Sequence, residues 1–495
     1  MNCIRTHIRT RIHTGTGTRS LCSTPRARPG LVALVAAVAL AGCAVAPPYQ
    51  VPSAPVPEGY REAPVDGAVW LPAAAPDALE RGDWWTLFGD QQLDQLVERV
   101  SVSNQNVAAA AAAYAQARAL VGVQRAGLFP LLGLDVSARH SGGQAAVGSG
   151  SALQASLGAS WEPDLWGRLG LGVSAAQASA SASAADLAAA TLSARAELAT
   201  DYFSLREADA EIGLLRSTVE GYERSAQIAR NRYGVGVVAK TDVLQAETQL
   251  ANTRAELAAL TAQRARLEHA IAVLIGRAPG DFSIAADAWT ATVPAVPLGV
   301  PSVLLQRRPD IAASERAVAV ANAQIGIERS AYFPSLSLTG SIGAGGSRVA
   351  DLFSAAGSLW ALGISLAQTV FDAGATQARV AGAEAARDAA NARYRQTVLT
   401  AFQGVEDQLA TSHSLVEQAA WRREASAAAD ATEAQIMNRY RAGQLSYTEV
   451  VTAQVAALSA RRALLQLALA RQSSAIALIA ALGGGWHGAS VAANP

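Results

Sequence analysis

Two short runs in this 495-residue chain hold the side chains best placed for polar chemistry. Arg232-Tyr233 is followed by Gly236 and Asp242, and Arg439-Tyr440 by Gly443 and Glu449, each acid six residues beyond its glycine. A glycine just past a helical run is a common left-handed helix terminator. An acid shortly after it falls near the start of the next helix, where the helix dipole favours negative charge. An exposed turn of this kind is also where a partner protein can be held. Catalysis and metal binding find no comparable support. His140, His269, His413 and His487 stand at ligand spacing neither with one another nor with a cysteine, and Met437 is the sole methionine after residue 42. Neither a Gly-rich phosphate loop nor a nucleophile elbow occurs. The chain is therefore expected to be no enzyme and to need no cofactor or metal.

The remaining reactive group is the thiol of Cys43. Ahead of it lie six arginines (Arg5, Arg9, Arg11, Arg19, Arg26, Arg28), no acid, and the apolar run Leu31 to Leu40. Ten apolar residues fall short of the roughly 30 Å hydrocarbon core, so the segment reads as a secretion signal over residues 1–42. Leu40-Ala41-Gly42-Cys43 resembles a bacterial lipobox, which implies cleavage before Cys43 and acylation of its sulfur, by palmitate among other chains; the alternative is an ordinary small-residue cleavage site. Residue 44 is Ala, not the Asp that retains many lipoproteins in the inner membrane. Removing six arginines from 40 Lys+Arg, against 40 Asp+Glu, leaves a net charge of −6. That balance argues against a nucleic-acid partner. Cys3, Cys22 and Cys43 all lie at or before the processing site, so the exported body carries no disulfide.

The elements that position the two runs are periodic. Residues 43–82 hold eight prolines, which favours an extended tether draped over the body it anchors. Beyond it the chain repeats. Ala119 to Arg125 leading to Phe129-Pro130 matches Ala323 to Arg329 leading to Phe333-Pro334, 204 residues on, and the two Arg-Tyr runs lie 207 apart. The expected divisions are a first repeat over 83–290, a second over 291–486 and a tail over 487–495. Each repeat opens with a helix, Gly89 to Phe129 or Pro309 to Phe333, closed by a proline. Two strands follow. Leu132, Leu134, Val136, Ala138 alternate with Gly133, Asp135, Ser137, Arg139, and Leu153 to Trp161 continues the pattern. In the second repeat Leu336, Leu338, Ile342 alternate with serine and threonine, and Trp360, Leu362, Ile364, Leu366 with small residues. Long proline-free stretches, Leu169 to Tyr233 and Thr376 to Tyr440, would reach nearly 100 Å as helices. Their stripes, Leu198 to Tyr222 and Val398 to Leu409, read as coiled-coil seams, or singly as core-facing amphipathic helices.

Strands of about ten residues are long enough to span a membrane when tilted, and backbone facing lipid must be paired within the protein. Four strands close no useful barrel, so several chains must pool them, as a dimer with eight or a trimer with twelve. Lipid outside and water inside then makes a pore.

Over nearly the whole exported length the chain resembles the outer membrane factor family of tripartite efflux pumps, TolC-like and NodT-type. The marks are Arg307-Arg308-Pro309-Asp310-Ile311 with Glu315, Tyr332-Phe333-Pro334, Trp161-Glu162-Pro163-Asp164-Leu165-Trp166-Gly167 and the two Arg-Tyr turns. The resemblance implies a membrane α+β fold, tandemly duplicated, in which a homotrimer pools four strands per chain into one transmembrane β-barrel. Long helices would form a periplasmic α-barrel. It implies a lipid-anchored place in the outer membrane, a periplasmic adaptor docked at Arg232, Tyr233, Gly236, Arg439, Tyr440 and Gly443, and an inner-membrane pump as energy source. Acids at Asp242 and Glu449 correspond to rings that narrow the closed entrance. Thr452 stands where many relatives carry an Asp, which leaves a ring at that level in doubt. The expected function is passive conduction of small amphiphilic toxicants or drugs. Alternatives are a duct for secreted proteins or oligosaccharides, and a non-channel coiled-coil envelope lipoprotein.

Overall fold

Each repeat's first helical run gives way to a strand at a proline. A computed structural model describes residues 46–62, 82–142, 150–296, 307–354 and 357–486. Of two compact units, Met1–Ala44 and Val45–Pro495, all described residues belong to the second. The signal segment, Cys43, much of the proline-rich tether and the tail over 487–495 lie outside them. The first repeat comprises α1 (Gln91–Ser103), α2 (Gln105–Ala126), β1 (Leu131–Ser141), β2 (Gly150–Trp161), α3 (Arg168–Gly234) and α4 (Lys240–Leu274). The second comprises α5 (Pro309–Arg329), β3 (Ser335–Gly346), β4 (Ser358–Ala367), α6 (Ala375–Arg441) and α7 (Tyr447–Ala481). Strand and long-helix limits fall within a few residues of those the periodicity predicts.

One expected helix is two. The run from Gly89 breaks at Asn104, whose backbone is extended and whose side chain accepts from Asn106 N and Val107 N while donating to Leu274 O at 2.8 Å. Asparagine competes with the helix through such local bonds and so caps rather than continues it. The matching position 204 residues on is Arg308, which likewise has an extended backbone and stands directly before a helix, α5.

The strands form one antiparallel sheet in the order β1-β2-β3-β4. Leu134 pairs with Leu157, Leu157 with Ile342 and Ile342 with Trp360, an apolar row across the whole sheet. The adjacent row holds Asp135, Ser156 and Gly343 on the opposite face. α3 and α6 are 67 residues each, and α4 and α7 35 each. They pack in the row α4, α3, α7, α6, while nearer the sheet α2, α3, α5 and α6 lie side by side. The stripe Leu198–Leu205 is no simple two-helix seam: it enters a large core with Trp84, Trp85, Phe88, Ile311, Val398, Phe402 and Ile479. Helix α7 has the length and hydropathy of a membrane span, but Ile476, Leu478 and Ile479 lie in that core.

The described part of the tether does lie against the body. Asn322 donates to Pro47 O at 3.0 Å, Tyr49 OH bonds the Glu315 carboxylate, Arg395 donates to Ser53 O at 3.0 Å and Glu406 accepts from Arg61 N at 2.8 Å. It therefore runs along α5 and α6, away from the sheet. Gly326 permits the close approach, since a Cβ there would collide with Ala46 and Leu171.

Candidate functional site

Both Arg-Tyr turns end their long helices identically. Gly236 N donates to Tyr233 O and Val237 N to Arg232 O, each at 2.9 Å; Gly443 N donates to Tyr440 O at 2.9 Å and Gln444 N to Arg439 O at 3.0 Å. This is the Schellman pattern, and it needs the left-handed backbone that both glycines adopt at φ 76°. Farther up each hairpin Arg254 pairs with Glu223 at 2.6 Å and Arg461, 207 residues later, with Asp430 at 2.8 Å.

The two turns of one chain are packed together. Ala226, Ala229, Val243 and Ala246 from the first hairpin cluster with Tyr440, Tyr447 and Val450 from the second. Arg232 Nη1 donates to Tyr440 O at 2.9 Å, and its guanidinium lies 4.9 Å from the Tyr440 ring centre. The Tyr440 and Tyr447 rings meet edge to face at 5.4 Å, and Thr448 Oγ1 donates to Gln245 Oε1 at 3.2 Å. Burial, then the nearby Tyr440 and Tyr222 hydroxyls, push the Tyr447 phenol up to about 12, so it stays neutral. Tyr440 is 2% exposed, whereas Tyr233 is 46% exposed. A partner docking at the second turn therefore meets its backbone and Arg439 rather than the Tyr440 ring.

Asp242 and Glu449 are each the third residue of their helix, in its first turn. Glu449 Oε2 accepts from Ser446 N at 3.0 Å in a capping box. Asp242 follows Ala239, which offers no such serine, and its carboxylate has no hydrogen-bonded partner among the described residues. Thr452 is exposed and its hydroxyl donates to Thr448 O at 3.0 Å. The sequence reading missed Tyr447, Gln245 and the capping box, although Ser446-Tyr447-Thr448-Glu449 has the Ser-x-x-Glu spacing that announces one.

At the other end of the helices, the tryptophan-rich segment locks strand to helix. Trp166 stacks on Phe333 at 4.8 Å and donates to Pro334 O at 2.7 Å, joining the two repeats. Asp164 caps α3 by accepting from Leu169 N at 3.0 Å and Gly170 N at 2.7 Å. Asp372 does the same for α6 through Gly374 N and Thr376 N. Arg308 grips Asp310 with two bonds and donates to Ala481 O at 2.9 Å, so the Arg-Pro-Asp run closes the end of α7.

Among the described residues, no further strand pairs with the outer sides of β1 and β4 in the sheet these junctions hold. Every residue of β1 and of β4 is exposed. The family model for outer membrane efflux proteins matches residues 96–277 and 300–484. The chain belongs to the outer membrane efflux protein family. It is 30% identical over 461 residues to the cation efflux system protein CusC of Escherichia coli, covering 92% of this chain and 99% of that one. It is 32% identical over 474 residues to the toluene efflux pump outer membrane protein TtgC of Pseudomonas putida, covering 93% and 96%. The solved outer-membrane channel OprN superposes with a TM-score of 0.79 at 31% identity, covering 90% of this chain and all of that one. This outer membrane efflux protein thus has the fold of an outer-membrane channel, with helices and sheet in the places the sequence predicts.

Proposed function

We propose that this outer membrane efflux protein works as a lipid-anchored homotrimer. Its twelve pooled strands form a transmembrane barrel, and its helices form a tube that receives substrate from a periplasmic adaptor and an inner-membrane pump. The sheet carries the proposal. One face is apolar and the other polar, both edges are unpaired, and a bare edge in hydrocarbon leaves backbone groups unsatisfied at several kcal/mol each. Pairing β4 of one copy with β1 of the next removes both edges, and the alternating directions keep that seam antiparallel. The two exposed glycine turns, at the far end of helices of about 100 Å, are where the adaptor docks through Arg232, Tyr233, Gly236, Arg439, Gly443 and the Tyr440 backbone. Asp242, Glu449 and Thr452 line the narrowed entrance.

Lipid anchoring at Cys43 is supported by the tether. Ala46 is seated at Gly326, in the last turns of α5 before β3, and three residues span at most about 11 Å. That reach keeps the anchor toward the membrane end of the helices.

Small amphiphilic toxicants are the proposed cargo. Deleting the gene should sensitise cells to such compounds and leave secreted proteins unchanged. Unchanged susceptibility with a lost exoproduct would reassign the duct to secretion.

A further inference from the structure

The four strands contain a single acidic side chain and a single arginine, and both lie on the same face of the same strand. Asp135 and Arg139 of β1 alternate with Leu134, Val136 and Ala138, which places them on the polar face. The rest of that face is serine, threonine, glycine, alanine and Gln154, with Leu131 and Leu359 as its large apolar residues. The wall beside the two charges is therefore low. Asp135 pairs with Ser156, which pairs in turn with Gly343; Ser137 pairs with Gln154, and Arg139 with Ala152. Every residue of β1 is exposed, so both charged groups stand clear of their neighbours.

Their separation decides how they act. Four residues of strand put them about 13 Å apart, too far for an ion pair. A strand tilt of about 40° leaves roughly 10 Å of that along a barrel axis. The Debye length at physiological salt is about 8 Å. Each charge is thus felt at its own depth, while at a distance the two cancel. Because β1 leaves the helical body at Leu131 and ends at Ser141, the acid lies on the helix side and the base on the far side.

We infer that Asp135 and Arg139 together set the charge preference of the barrel. The inference rests on the trimer proposed above, in which they become a ring of three carboxylates followed by a ring of three guanidinium groups. A cation passing outward meets an attractive ring and then a repulsive one, and an anion meets the same two with the signs reversed. Over the whole length neither sign is favoured. The barrel then passes acidic, basic and zwitterionic cargo alike and leaves selection by charge to the turns that carry Asp242 and Glu449. Each ring keeps the other in balance. Without Asp135 the lumen prefers anions, and without Arg139 it prefers cations.

The test uses the full-length protein extracted from membranes, with its assembled mass measured first. Ser137→Cys puts a thiol on the polar face between the two charges, and its rates with a cationic and an anionic methanethiosulfonate are compared at low salt. The ratio of the two rates cancels any change in the thiol's own ionisation. Adding Asp135→Asn should shift that ratio severalfold toward the anionic reagent, and adding Arg139→Gln severalfold toward the cationic one, since a unit charge about 7 Å away through water changes each rate about threefold. Both shifts should shrink in about 1 M salt. Ion selection is then read in planar bilayers on the Asp242→Asn, Glu449→Gln background, where the turns carry no acid at these positions. There Asp135→Asn and Arg139→Gln should move the reversal potential in a salt gradient in opposite directions, and the two together should restore it. Unmoved potentials, or shifts of one sign, in a conducting trimer would overturn the inference and leave the channel standing. A one-chain mass, or a Ser137→Cys thiol inert to both reagents in an assembled trimer, would overturn the barrel as well. Gln154→Cys, paired with Ser137 on the next strand, takes the place of the reporter where Ser137→Cys does not assemble.

Discussion

Glu207 and Glu211 lie one turn apart on α3, both buried, and share the single arginine of α7 within reach. Arg462 Nε contacts Glu211 Oε1 at 2.6 Å, and its Nη1 contacts Glu256 Oε2 at 3.2 Å, while one oxygen of Glu207 is buried without a partner. Desolvation, then the neighbouring Glu211 carboxylate, raises Glu207 well above the usual carboxylate range. The folded protein therefore holds this proton more tightly than the unfolded chain does. Its stability is greatest at acid pH and falls as pH rises through the raised value. Glu207→Gln should leave the midpoint of thermal unfolding nearly unchanged at pH 5 and raise it at pH 8. An equal shift at both pH values would contradict this ionisation. The acids proposed to line the entrance need a finer test, because Glu449 also completes its capping box by accepting from Ser446 N, and Glu449→Ala would remove that bond along with the charge. Glu449→Gln keeps a capping side chain and removes the charge. Combined with Asp242→Asn it should increase single-channel conductance severalfold, whereas a wild-type conductance from an assembled trimer would reject a gating charge at these positions.

Among the elements, the strands make the sharpest claim. Leu134 sits in the apolar row with Leu157, Ile342 and Trp360, and Ser137 on the opposite face. Leu134→Arg should cost about 2–4 kcal/mol if the row faces lipid at mid-depth, read as loss of folded barrel on unheated gels. Ser137→Arg should assemble and alter conductance instead. The seam register follows from the repeat. The pairing of Leu157 with Ile342, carried into the second repeat, sets Ile364 opposite Ala138 of the next copy, which keeps apolar residues on one face. A cysteine pair at those two positions should link chains, and linkage displaced by one residue would show that the repeats close the barrel differently. Strands and long helices were legible in the sequence because each keeps one period over many residues. What escaped was whatever interrupts a period. Asn104 splits a helix through three side-chain bonds. Arg206, Asp209 and Arg264 form a buried network that holds the backbone carbonyls of Ile284 and Ala285. A reading that places charge outside misses such pairs, because burial is allowed when every polar group is satisfied. At the tips, the turn glycines and acids were visible, but the packing of one turn on the other was not, since it joins residues some 200 apart.

On the scale of the whole molecule, the tether ties the membrane end of the helices to their middle. Cys43→Ala should abolish incorporation of labelled palmitate yet leave the folded body intact, because Asn322, Glu315, Arg395 and Glu406 still hold residues 47–62. Retained label would move the anchor elsewhere. The repeats meet at the Trp166–Phe333 stack near the sheet and at the Arg232–Tyr440 contact at the far end. In the trimer proposed above each chain is thereby one stave of a closed wall. That wall is tested most directly by measuring, on one detergent-extracted sample, the assembled mass and the single-channel conductance in planar bilayers. The account predicts a trimer with a small, cation-favouring conductance. A stable monomer that conducts nothing would mean that the strands do not pool, and the channel would fall with the barrel.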